Sequence, residues 1–203
     1  MNTATSGTVI DANVIEQWQS AKAPPAPTIV PVTIDPAKTA FLLLDFLRDV
    51  CTPSFRPRAA DALPKLQAFL QESRKRGMTV VHTTTSASTV ALGSDLADAV
   101  KPIEGERIYK APFNKFFGND LEPYLRGRGI DTVIVTGTSP NGCVLFTVAG
   151  AILHGFNVLV PVDGIPAKTL YQEQFVAWQV ANGPGGFSRL AKLTALDAIS
   201  FQK

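Results

Sequence analysis

Apolar runs alternate with amphipathic segments along most of this chain. Short apolar runs are typical of buried strands, whereas apolar residues spaced three and four apart indicate helices that bury one face. The run TAFLLLD at 39–45 is apolar up to its final carboxylate, as in a strand buried on both faces. Segment 58–76 instead places its leucines at helical spacing and precedes Gly77, a suitable C-cap. The pattern predicts strands at 39–45, 78–83, 107–110, 132–136, 157–162 and 192–195, and helices at 58–76, 120–128, 143–154 and 169–182.

This alternation of strands and helices predicts the fold class. Strands separated by helical segments form parallel βαβ units, so we expect an α/β fold with a doubly wound, mostly parallel sheet and helices on both faces. In such a sheet, ligands bind outside the carboxyl ends of the strands. The candidate functional positions at those ends are Asp45, residues 82–85, Lys110, residues 137–143 and Asp163.

The first 37 residues differ in composition from the rest. Five of the fifteen prolines lie between Pro24 and Pro36, and such a stretch cannot hold a helix. We interpret residues 1–37 as an N-terminal proline-rich arm with a short helix at 13–20, and residues 38–203 as the functional domain. The arm is expected to pack on its own domain or on a neighbouring subunit.

Composition excludes several classes of protein. The 203 residues are 45% hydrophobic and 18% charged with a net charge of +2, which favours a folded domain and argues against nucleic-acid binding. No apolar run reaches the roughly 18 residues that a membrane span requires. We see no secretory signal and only two cysteines, so we expect a cytoplasmic protein. Two histidines exclude a three-histidine zinc site, which leaves carboxylates, lysines, hydroxyls or a thiol to perform any chemistry.

A carboxylate, an ammonium and a thiol are predicted at the same edge of the sheet. Cys143 opens a predicted helix, whose positive end and free N–H groups favour the thiolate and could hold an oxyanion. Asp45 could remove the thiol proton, and Lys110 could stabilise negative charge. Each residue also has a structural interpretation: a packed cysteine, a carboxylate bound by a backbone N–H, and a solvated lysine.

Three segments together resemble the isochorismatase-like cysteine hydrolases. They are LLLDF, then IYKAPFNKFFGNDLEPYLRGRGIDTVIVTGTSPNGCV, then VAGAILHGFNVLVPVDG, and their order and spacing carry the resemblance over about residues 40–163. The resemblance implies an isochorismatase-like hydrolase domain at 38–203 with a catalytic triad of Asp45, Lys110 and Cys143. Lys115 is the rival lysine, but Lys110 occupies the strand-end position of the family pattern.

The resemblance also implies an oxyanion hole ahead of the cysteine. By position, a cis peptide would join Thr138 and Ser139, and the N–H groups of Ser139 and Cys143 would be the donors. Pro140 departs from the family, which commonly has threonine there. The segment HTTTSAS also lacks the D-x-H pattern of metal-binding relatives, so we expect neither a metal nor another cofactor.

The expected partner is a small-molecule substrate, with no nucleic acid and no membrane. Phenylalanines near the proposed site suit a flat, small, largely apolar acyl group, although some of them could simply pack the core. Cys51 lies close enough in sequence to Asp45 to approach the crevice. The arm and the apolar helices favour a homo-oligomer, a dimer or tetramer, with the arm at an interface. The predicted pocket residues are Phe46, Thr84, Phe113, Phe116 and Phe117.

Three functions fit these observations. The first is a metal-independent cysteine hydrolase that cleaves the C–N bond of a small non-peptide amide through a thioester intermediate. The second is an isochorismatase-type hydrolase of a vinyl ether, which in this family depends on the aspartate and does not need the thiol. The third is a catalytically idle binding or scaffold protein of the same fold. Retention of the cysteine and a lysine together favours the amidase.

Overall fold

The computed structural model describes residues 13–202. Within this range the chain forms eight strands and five α-helices, joined by turns and short 3-10 segments. The strands are β1 (Val32–Ile34), β2 (Thr39–Leu44), β3 (Thr79–Thr85), β4 (Arg107–Ala111), β5 (Thr132–Gly137), β6 (Asn157–Pro161), β7 (Ala191–Thr194) and β8 (Ile199–Phe201). The helices are α1 (Pro57–Lys75), α2 (Leu121–Gly127), α3 (Leu145–Leu153), α4 (Leu170–Asn182) and α5 (Phe187–Leu190).

Six strands form one parallel sheet in the order β4-β3-β2-β5-β6-β7. Strands β1 and β8 pair separately as a small parallel sheet. The chain runs outwards from β2 in one direction and from β5 in the other, so the strand order reverses between these two strands. In doubly wound sheets this reversal opens the crevice in which ligands bind. The predicted α/β fold is therefore confirmed.

Strand β2 shows why this sheet needs helices on both sides. All six of its residues are buried, and successive side chains point to opposite faces. Leu42 and Leu44 pack with residues of α2, α3 and α4, whereas Phe41 and Leu43 pack with residues of α1. The continuous apolar run in the sequence follows directly from burial on two faces.

The structure differs from the predicted elements at the N-terminal arm and before α3. The predicted helix at 13–20 is a single 3-10 turn, Trp18–Ser20, and residues 1–12 lie outside the described residues. Strands β1 and β8 are three residues each, too short to produce a pattern, and their pairing joins residues 32–34 of the arm to the domain. The predicted helix at 143–154 begins only at Leu145. The division at residue 37 and the homo-oligomer stay predictions.

No helix in the described part of the chain has both the length and the apolar character needed to cross a membrane.

Candidate active site

Asp45 lies directly after β2, where the strand order reverses. Its φ of 54° is in the left-handed region, which aspartate adopts more readily than most residues. The Thr83 hydroxyl on β3 donates to Oδ1 at 2.7 Å, and Nζ of Lys115 lies 2.7 Å from Oδ2. With only 6% of its surface exposed, Asp45 is a buried carboxylate with a partner on each oxygen.

Lys115 is the ammonium at this site. The residue is 1% exposed, and Nζ also donates to the carbonyl oxygen of Ala111 at 3.1 Å. Helix α3 holds the loop that carries Lys115: the Lys115 backbone N–H donates to Thr147 Oγ1 at 3.1 Å, and this hydroxyl donates to the Phe113 carbonyl at 3.3 Å. Gly150 lets the same loop approach closely, because a Cβ there would lie 2.3 Å from the Asn114 side chain.

The predicted lysine, Lys110, does not reach the site. Its neighbours Tyr109 and Ala111 are buried, so the alternation of β4 turns Lys110 towards solvent. Its ammonium donates to the carbonyl oxygen of Ser88 instead. The structure therefore corrects the implied triad: the lysine that contacts Asp45 is the rival, Lys115.

Cys143 lies in one wide turn of π type, Pro140–Val144, between β5 and α3. Within this turn Gly142 departs from helical geometry, with φ −113° and ψ −107°. The peptide between Thr138 and Ser139 is cis, as predicted. The Cys143 thiol lies 3.6 Å from the carbonyl oxygen of Ser139. Cys143 thus sits beyond the end of β5 without occupying the regular helix N-terminus that the sequence predicted.

The environment of Cys143 favours the neutral thiol in the resting site. Burial raises its pKa, and the negative charge of Asp45 raises it further, whereas Lys115 lowers it. The resulting pKa of Cys143 lies well above the usual value for cysteine. The stabilisation of a thiolate that the sequence predicted is therefore outweighed. A carboxylate beside a neutral thiol is the arrangement of a general base and a nucleophile before proton transfer.

These groups line one pocket of about 320 Å³. Ser139 lines it together with Cys143, so both predicted oxyanion-hole residues border the same space. Apolar side chains form much of the remaining wall: Leu47, Val50, Ala111, Pro112 and Phe113. The volume is suited to a small molecule rather than a peptide.

The predicted aromatic pocket is wrong except for Phe113, which lines the pocket. Phe46 is fully buried in the core on the α1 side, because the chain turns at the preceding residue. Phe116 is buried against Phe156, with ring centroids 5.6 Å apart. Phe117 is 70% exposed and lies outside the pocket lining. The pocket is thus less aromatic than the sequence predicted.

The prediction that Thr84 lines the pocket is also wrong. Its hydroxyl donates to Asp95 at 2.7 Å, since alternate residues of β3 face opposite ways and the preceding threonine is the one that reaches Asp45. Cys51 is buried outside the pocket lining, and burial raises its pKa to about 11, although Arg56 opposes this. Neither residue belongs to the group around Cys143.

His82 belongs to a buried cluster on the α1 side of the sheet. Its Nε2 lies 2.8 Å from Glu106, which also binds Arg74 of α1. Burial raises the pKa of Glu106, but the hydrogen bonds from Arg74 and His82 outweigh it and lower the pKa to about 2. His82 is therefore a hydrogen-bonded residue of β3 and does not belong to the group around Cys143. Among residues 13–202, no three His, Cys, Asp or Glu side chains form a group that could hold a metal ion.

Arg56 lines the pocket and was missed by sequence analysis. It immediately precedes Pro57, the first residue of α1, in a loop without hydrophobic periodicity. One terminal nitrogen donates to the Thr138 hydroxyl. Its Nε is buried and has no hydrogen-bond partner among the described residues. The only signal in the sequence was its position in the loop that follows Asp45.

Comparisons with known proteins identify the family of the chain. A family model described as the isochorismatase domain matches residues 39–193. Maleamate amidohydrolase from Pseudomonas putida is 28% identical over a match that covers 61% of this chain and 70% of that protein. N-carbamoylsarcosine amidase from an Arthrobacter species is 29% identical, over 54% of this chain and about half (51%) of its own length.

A solved structure extends the similarity to the fold. An isochorismatase-like hydrolase from Alkaliphilus metalliredigens has a TM-score of 0.69 and 28% identity, covering 79% of this chain and 95% of its own. The family model spans most of the chain, including every residue of the group around Cys143. From its sequence and its fold, the chain belongs to the isochorismatase-like hydrolase family.

Proposed function

We propose that this protein is a metal-independent cysteine hydrolase that cleaves the C–N bond of a small non-peptide amide through a thioester. One observation carries the proposal: Asp45, Lys115 and Cys143 are buried together beneath a pocket of small-molecule size. Two similar proteins are an amidohydrolase of maleamate and an amidase of N-carbamoylsarcosine, which supports the same reaction class here.

In the first half of the proposed reaction, Asp45 accepts the proton of the Cys143 thiol. The sulfur attacks the carbonyl carbon of the amide, and the N–H groups of Ser139 and Cys143 hold the resulting oxyanion. Asp45 then passes its proton to the amide nitrogen. The C–N bond breaks, ammonia or an amine leaves, and the acyl group remains on sulfur as a thioester.

In the second half, water replaces the departed amine. Asp45 takes a proton from this water, which attacks the thioester carbon. The carbon–sulfur bond breaks, the carboxylic acid product leaves, and the proton returns to the Cys143 sulfur. The enzyme thereby recovers the neutral thiol and the ionised carboxylate with which it began.

Lys115 positions the base and balances charge throughout this cycle. An ammonium has three N–H donors. In Lys115 one of them binds Asp45 and a second binds the Ala111 carbonyl, which leaves the third for the reacting atoms. Its positive charge also opposes the rise in the Cys143 pKa. Lys115 therefore stabilises the charge that develops on sulfur when Asp45 takes the proton.

A screen of small amides for ammonia release tests this proposal. We expect wild type to hydrolyse at least one amide, and Cys143→Ala, Asp45→Asn and Lys115→Met each to lose on the order of 100-fold or more in kcat. Lys110→Met is the matched control and should keep its activity. Ammonia release by Cys143→Ala would exclude the thiol as nucleophile. If no amide releases ammonia, the proposal fails and the vinyl-ether hydrolase or the scaffold is favoured.

A further inference from the structure

The charges that line the pocket do not balance. The carboxylate of Asp45 is paired with Lys115 at 2.7 Å, so these two charges offset one another. Arg56 also lines the pocket, but the partner of its guanidinium is the neutral hydroxyl of Thr138. Among the described lining residues, the pocket therefore carries one positive charge without a negative partner.

The Arg56 guanidinium also has an unused donor. Its Nε is buried and donates to no described group. Burying a donor without an acceptor is unfavourable, and more so when the donor is charged. A guanidinium presents parallel N–H groups whose spacing matches the two oxygens of a carboxylate. Since the buried Nε is closed to the pocket, a carboxylate bound there would pair with the terminal N–H groups of Arg56 and neutralise the charge.

The position of Arg56 limits how far that carboxylate lies from the reacting carbonyl. Arg56 binds the side chain of Thr138, and Thr138 directly precedes Ser139, a donor of the proposed oxyanion hole. The guanidinium is thus held one residue away from the place where the carbonyl oxygen would bind. A pocket of about 320 Å³ also leaves room only for a short acyl chain.

We infer that Arg56 determines substrate specificity by binding a carboxylate, so that the substrate is the mono-amide of a short dicarboxylic acid. This inference rests on the proposed function, because it places the scissile amide at Cys143. It replaces the flat, largely apolar acyl group that the sequence predicted with an anionic one. Arg56 contacts the substrate at the end opposite to the broken bond and takes no part in proton transfer.

Pairs of substrates that differ in a single carboxylate charge test this inference. The mono-amides of malonic, succinic and maleic acid are compared with their diamides, which share the carbon skeleton but carry no charge. Wild type should prefer a mono-amide over its diamide by about 10- to 150-fold in kcat/KM, the range expected for a charge-assisted hydrogen-bonded pair. Arg56→Gln should remove that preference by slowing the mono-amide alone. Arg56→Lys should restore part of it, since it keeps the charge without the paired donors.

Two controls separate recognition from structure. Arg48→Gln removes a guanidinium from the same loop, where Arg48 is exposed and pairs with Asp98, so it should leave the preference unchanged. Thermal unfolding of each variant checks that the fold is intact. If Arg56→Gln slows the mono-amide and the diamide equally, Arg56 only braces Thr138 and the inference is wrong.

Equilibrium binding distinguishes failure of this inference from failure of the proposed function. Malonate and succinate cannot turn over, and we expect calorimetry to find binding to wild type that weakens about 10- to 150-fold in Arg56→Gln. If no amide releases ammonia but this binding depends on Arg56, the proposed reaction fails while the carboxylate site stands. If ammonia is released but neither binding nor substrate preference depends on Arg56, the inference is overturned and the reaction stands.

Discussion

Replacing Lys115 with methionine tests which lysine serves the site. Lys115 is 1% exposed and its ammonium binds the Asp45 carboxylate, so Lys115→Met leaves that carboxylate buried without its cation. Removing one partner of a buried ion pair destabilises a protein by about 3–5 kcal/mol. Because the Thr83 hydroxyl still binds Asp45, we expect the lower end, about 3 kcal/mol. Lys110 is exposed, and Lys110→Met should change stability by less than about 0.5 kcal/mol.

Urea denaturation at neutral pH measures both variants. With an unchanged m-value, the shift in midpoint gives the change in the free energy of unfolding. The double variant Asp45→Asn/Lys115→Met removes both charges and should be more stable than Lys115→Met alone. Ammonia release is followed in parallel, and it should be lost with Lys115 and kept without Lys110.

Two results would show that Lys115 is not the lysine of this site. If Lys115→Met unfolds at the same urea concentration as wild type, the buried pair with Asp45 does not form. If Lys110→Met loses the activity that Lys115→Met retains, the triad implied by the family resemblance is correct, and the lysine placed by the structure is not.

Three further variants test other parts of the site and the fold. Asp45→Asn should abolish ammonia release and slow the alkylation of Cys143 by iodoacetamide at neutral pH, because the neutral thiol loses the base that accepts its proton; alkylation faster than in wild type would contradict this role of Asp45. The pKa of Glu106 is lowered from 4.5 to about 2, so the ionised carboxylate adds about 3 kcal/mol to the free energy of unfolding above pH 4.5. This stabilisation is lost as the pH falls to 2. Urea titrations across that range should show no such loss for Glu106→Gln. Gly150→Ala should destabilise the fold by about 1–3 kcal/mol and lower kcat, because its Cβ would push Asn114 and the loop that carries the site's lysine; unchanged kinetics would show that this contact does not position the loop.

The sheet and two of the site residues could be predicted because they follow from local patterns. Burial on both faces makes β2 continuously apolar, and the chain order of strands and helices then determines which strand ends share an edge. Asp45 and Cys143 follow β2 and β5, the two strands between which the order reverses. Their proximity therefore needed no knowledge of side-chain packing.

The lysine and the arginine could not be found in this way. Lys110 ends a strand, but which face it occupies depends on the alternation around it, and Tyr109 and Ala111 take the buried positions. Lys115 and Arg56 lie in loops, where no period indicates direction. Their positions depend on contacts between distant segments, with helix α3 for the lysine and with Thr138 for the arginine.

An acyl group on Cys143 distinguishes the proposed mechanism from its alternatives, and it can be trapped. Wild type mixed with a hydrolysed amide is quenched in acid during the first turnover, digested and examined by mass spectrometry. We predict that the peptide containing Cys143 carries the acyl group of the substrate, and that added hydroxylamine releases the group as a hydroxamate. Ammonia release without any acylated peptide, or with the acyl group on a residue other than Cys143, would contradict the account.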